Sequence, residues 1–121
     1  MKYTDVVTIA RTAHEINRAY CATLGDLSQP LWEDAPAWQQ ISAIDGVQFV
    51  QSHHDATPRD AHNNWLIDKF TNGWQLGPVK DVENKLHPLL IPFDEIPLPE
   101  RIKSHLFIAV VQSITAAMEV Q

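Results

Sequence analysis

Apolar residues return every three or four positions over most of this chain, lose that rhythm after residue 73, and recover it near the end. In the first stretch, about Thr4 to Leu24, Val6, Ile9, Ala10, Ala13, Ile16, Tyr20 and Leu24 share one helical face. Thr8, Arg11, Glu15 and Arg18 fall on the other, and Gly25 supplies a left-handed stop. From Gly25 to Pro36 the pattern predicts an ordered loop pinned by Trp32, which lies between Pro30 and Pro36. A second helix is expected from Asp34, with Pro36 in its first turn. It carries Trp38, Ile41, Ile44 and Val47, and Gly46 weakens it locally. After a polar loop, Thr57-Pro58-Arg59-Asp60 gives an N-cap, a first-turn proline and an acid three residues on. The third helix so opened presents Ala61, Trp65 and Phe70 and stops at Gly73.

Prolines at 78, 88, 92, 97 and 99 then exclude a long helix. Trp74 to Leu76 and Leu89 to Ile91 read as short strands, with Asp81 to Leu86 a helical turn between them and Gly77 in a turn with positive φ. The last helix, about Pro99 to Met118, sets Ile102, Leu106, Ala109, Val110, Ile114 and Ala117 on one face. The expected fold is mainly α: about four helices around one core, with a small Pro-rich β-hairpin-like insertion before the last helix. A chain of 121 residues has room for one such core. We expect a single domain over 1–121, with a helical N-terminal extension of about 1–56 and a second part of about 57–118.

Composition narrows the partners. The formal net charge is −6 and the nine basic residues are scattered, so neither DNA nor RNA is expected as a partner. The longest apolar run, Leu106 to Val111, is far short of the roughly 20 residues that cross a bilayer. The opening Met-Lys-Tyr-Thr-Asp lacks the apolar stretch of a signal peptide. Cys21 is the only cysteine, which leaves no disulfide framework and no thiolate zinc site. A cytoplasmic protein without a membrane partner is expected.

Few residues carry recognisable chemistry. His14-Glu15 begins like a zinc-protease helix, but Arg18 stands where the second histidine is needed. His14 is therefore read as half-exposed beside an acid. His53-His54-Asp55 lies in a polar loop with no further ligand placed by sequence, and no metal site is expected. Cys21 reads as a small core residue. The four glycines sit singly at 25, 46, 73 and 77, so there is no phosphate-cradling loop, and no serine lies in a nucleophile elbow. We expect no catalytic residue and no cofactor. Trp32, Trp38, Trp65 and Trp74 either belong to the core or, one or two of them, line a pocket. In such a pocket a planar ring would stack while Arg18, Lys80 or Arg101 meets an attached anion.

Gly73-Trp74, Gly77-Pro78-Val79-Lys80-Asp81, His87-Pro88 and Pro92-Phe93-Asp94-Glu95-Ile96-Pro97 follow at the spacing of the ryanodine-receptor repeat, or RyR domain, which this segment resembles. The helix bearing His62-Asn63-Asn64-Trp65 resembles the one that opens the repeat. His14 to Cys21 and Trp32 to Pro36 resemble the N-terminal extension of stand-alone bacterial and phage RyR-domain proteins. Leu76 and Leu86 depart from the aromatic and charged residues usual at those places. The resemblance implies a fold before an activity. Adenine-nucleotide binding is associated with receptor copies, and bacterial copies are suggested to sense nucleotide-derived signals.

Together these readings point to a non-catalytic module for a nucleotide or nucleotide-derived ligand. Arg18, Tyr20, Trp32, Trp65, Trp74, Lys80, Asp81, His87 and Arg101 are its candidate binding residues. The alternative is a protein-interaction or self-assembly module, since receptor repeats are paired and a single copy would pair as a homodimer. A nucleotide-acting hydrolase using Asp81 and His87 is the enzymatic alternative. Their competing structural readings are a helix N-cap for Asp81 and a satisfied histidine before a proline for His87.

Overall fold

The computed structural model describes residues 1–119. Four helices, α1 (Tyr3–Thr23), α2 (Ala37–Ser52), α3 (Pro58–Thr71) and α4 (Leu98–Glu119), pack around a shared apolar core. Between α3 and α4 lies an insertion with two short strands, β1 (Gln75–Leu76) and β2 (Leu86–His87). Single 3-10 turns at Trp32–Asp34 and Phe93–Glu95 precede α2 and α4. The mainly helical fold with a small β element before the last helix is as the pattern predicts.

Local chemistry explains most boundaries. At the start of α3 the Thr57 hydroxyl accepts from Asp60 N–H at 3.2 Å, and the Asp60 carboxylate takes Thr57 N–H at 2.9 Å. This reciprocal cap satisfies two backbone donors that a helix start leaves open. α1 and α3 are followed by Gly25 and Gly73, at φ +85° and +86°, where a side chain would be strained. The loop between α1 and α2 is tied to α1. Trp32 N–H donates to Glu15 at 2.9 Å, and His14 Nε2–H donates to the Pro30 carbonyl at 2.7 Å. His14 is thus buried against the loop, not half-exposed. Trp32 enters the core with Val6, Ile9, Ala10, Val47 and Val111.

Tertiary packing moves several expected faces. α2 begins at Ala37 because Trp32–Asp34 forms its own turn, with Pro36 as the flanking cap residue. Its buried residues are Val47 and Val50, while Ile41 is 57% exposed. α1 and α4 meet this helix along the track of Ala43, Val47 and Val50, one step round from the one the apolar pattern suggested. Gly46 has a packing reason: a Cβ there would lie 3.1 Å from the Phe107 ring of α4. On α3, Phe70 is exposed, and His62 and Lys69 are buried instead. α1, α2 and α3 all pack on α4, so its inner arc is Phe107, Ile108, Val111, Ile114 and Met118. Ala109 and Ala117 face outward.

The insertion differs from the expected hairpin. β1 and β2 pair in parallel, Gln75 opposite Leu86 and Leu76 opposite His87. The second strand therefore precedes Leu89 to Ile91. An antiparallel bridge from Asp81 to Leu86 closes the intervening turn. Asp81 caps this turn by accepting from Asn84 N–H at 3.1 Å and the Asn84 amide at 2.8 Å. Gly77 is not among the residues with positive φ. Its side chain is excluded by contact, because a Cβ would fall 2.8 Å from that of Leu86.

Candidate functional site

A half-open cavity of about 310 Å3 is lined by all four helices and the insertion. α3 forms one wall. His62, Trp65 and Lys69 recur there at spacings of three and four, so one helical face carries an imidazole, an indole and an ammonium. Ala10, Ala13, His14 and Asn17 of α1 stand on another side. Trp74, Lys80, His87 and Leu89 come from the insertion, and Glu100, Lys103 and Ser104 from α4. Exposed Trp38, Asp45 and Lys80 mark the solvent side.

Lys69 is 6% exposed, with Nζ 4.7 Å from the Trp38 ring centre and 5.1 Å from that of Trp74. The two indoles stand 5.6 Å apart and tilted, giving the ammonium two aromatic faces. Asp68 lies 3.7 Å from Nζ and accepts the Ser42 hydroxyl at 2.8 Å. Burial lowers the Lys69 pKa, and the Asp68 charge opposes that shift only in part. Lys103 meets Glu100 at 2.6 Å. Burial acts to lower its pKa, but the Glu100 hydrogen bond, with Cys21 and Asp26, outweighs it and holds the pKa above its ordinary value.

His87 occupies the junction of these groups. Its ring is edge-on to Trp65, with centres 5.0 Å apart. Burial first, then the charges of Lys80, Lys69 and Lys103 and the His62 imidazole, depress its pKa to about 4. The ring is neutral at pH 7. Leu89 N–H donates to Nδ1 at 3.1 Å, which leaves the ring proton on Nε2. The cavity therefore combines three indoles, three ammonium groups and a neutral imidazole donor.

Of the nine residues singled out in the sequence, Trp65, Trp74, Lys80 and His87 line this cavity. The other five do not. Arg18 is engaged by Glu15 at 3.0 Å. Tyr20 donates its hydroxyl to the Pro99 carbonyl at 2.7 Å. Trp32 is a core residue, and Asp81 holds its own turn. Arg101 lies over Phe93, 5.9 Å from the ring centre, with its Nε buried and unpartnered.

The family comparison bears on the same elements. The RyR domain model matches residues 36–119. The chain belongs to the RyR domain family. The RyR match takes in α2, α3, the insertion and α4, while α1 and the first 3-10 turn lie outside it. In this RyR-domain protein the cavity walls thus come mainly from the matched span, and α1 completes them.

Four lining residues, His62, Asp68, Lys69 and Lys103, were not among the candidates from sequence, and Trp38 entered only as one of four tryptophans of the core or of a pocket. A signal existed for two of them, His62 and Lys69. His62, Trp65 and Lys69 share the face of α3 that also bears Ala61, so polar groups interrupt an inward stripe. Lys103 carried no such mark. Among the described residues no group of three or more His, Cys, Asp or Glu side chains could hold a metal. No described helix is long and apolar enough to cross a membrane.

Proposed function

We propose that this RyR-domain protein is a non-catalytic binding module for a small planar ligand bearing an anion, of the nucleotide type, held in the cavity between the four helices and the insertion. The observation that carries this reading is the convergence of Trp38, Trp65 and Trp74 with Lys69, Lys80, Lys103 and His87 on one space. Indole faces suit a planar ring, and an ammonium at the edge of the same cavity suits an attached anion. A volume of about 310 Å3 lies at the small end of ligand sites. A non-catalytic role is supported by Asp81, whose carboxylate is occupied by Asn84 and does not border the cavity.

The test is a thermal-shift panel of mono-, di- and cyclic nucleotides and ADP-ribose derivatives, repeated with Trp65→Leu. A ligand at a hundred times its dissociation constant stabilises the fold by about 2.7 kcal/mol, a clear melting shift. Silence across the panel refutes the reading. A second reading, self-assembly, is favoured by Ile67 and Phe70, which lie one turn apart on α3 and are 66% and 53% exposed. Light scattering that finds a monomer at high concentration refutes that alternative.

A further inference from the structure

Charges around the cavity limit how many phosphates a ligand brings. Its lining carries three lysines, Lys69, Lys80 and Lys103, and three acids, Asp45, Asp68 and Glu100. Counted with histidines neutral, the formal charges of the lining cancel. Two of the cations are already engaged, Lys69 with Asp68 and Lys103 with Glu100. Lys80 forms no ion pair among the described residues and stands exposed on the solvent side.

From these positions we infer that the cavity selects a planar ring carrying a single phosphate, with Lys80 as the residue that meets the phosphate, over the neutral ring and over di- and triphosphates. This rests on the binding role proposed above and specifies its ligand class. One phosphate finds one uncommitted ammonium, on a cavity that His87 also lines. Each further phosphate brings negative charge toward Asp45, Asp68 and Glu100, in a protein already at −6. Engaging a second lysine would strip Asp68 or Glu100 of its partner, leaving a carboxylate without a counter-charge.

The experiment is a calorimetric titration of the purified full chain with adenosine, AMP, ADP and ATP and with the guanine series, in magnesium-free buffer at fixed ionic strength. The expected result is that in at least one series the monophosphate binds tenfold or more tighter than the nucleoside, the diphosphate and the triphosphate. Lys80→Gln, checked for folding by its near-ultraviolet circular dichroism, then lowers monophosphate affinity at least fivefold. A triphosphate that binds more tightly than its monophosphate overturns the inference while leaving a nucleotide site in place. So does a monophosphate whose affinity is the same in Lys80→Gln. Absence of binding by every member of both series refutes the proposed binding role and this inference with it.

Discussion

Holding His87 as a neutral ring beside three lysines couples stability to pH, and the size of that coupling follows from its environment. The folded-state pKa is about 4, against 6.5 for the free side chain. Between these values the unfolded chain binds the proton and the folded chain does not. Stability therefore rises with pH through this window and is lost as pH falls from about 6.5 toward 4. The full displacement corresponds to about 3 kcal/mol at 1.36 kcal/mol per unit. Solvent reaches part of the ring and screens its neighbours, so about half of that is the expected loss. The perturbation is His87→Asn, whose Oδ1 can take the place of Nδ1 in accepting the Leu89 N–H. Urea unfolding of both proteins at pH 7.5, 6.0, 5.0 and 4.5 gives two stability profiles. Carboxylates and the other five histidines are common to both and cancel in the difference. The wild type should lose about 1 kcal/mol more than His87→Asn across the acid limb. Parallel profiles would refute a buried neutral His87, and with it the assignment of its Nε2–H as a donor in the cavity.

Three further substitutions test the elements that build the site. Gly77→Ala places a Cβ 2.8 Å from that of Leu86 and should destabilise by about 1–3 kcal/mol in urea unfolding; an unchanged midpoint would show that the insertion relaxes freely. Thr57→Ala removes the side-chain acceptor for Asp60 N–H, an expected cost of about 1 kcal/mol, read as a lower melting temperature. Glu15→Ala removes the acceptor of the N–H of buried Trp32, a charge-assisted hydrogen bond, and should cost about 1.5 kcal/mol. Hydrogen exchange should then speed up selectively between residues 25 and 36, and uniform protection would refute the tether.

The helices were legible in the sequence because their signals are local. Thr57-Pro58-Arg59-Asp60 carries its own cap chemistry, and Gly25 and Gly73 stop helices through the backbone freedom of a single residue. The Trp, Gly, His and Pro spacing from Gly73 to Pro97 likewise identified the RyR domain, now matched over 36–119. Trp74, Lys80 and His87 lie within the Gly73 to Pro97 span, and with Trp65 they line the cavity.

What the sequence left open depends on partners distant along the chain. Arg18 and Lys80 are both cations beside apolar runs, yet Arg18 is taken by Glu15 one turn away and Lys80 borders the cavity. Lys69 looks like a solvated helix residue until Trp38 of α2 and Trp74 of the insertion close over it. The parallel pairing of Gln75 with Leu86, and the contact that requires a glycine at 77, arise only when the insertion folds back on itself. Periodicity fixes which residues share a face of one helix. Which face turns inward, and which charged groups lose their water together, is decided when four helices compete for the same core.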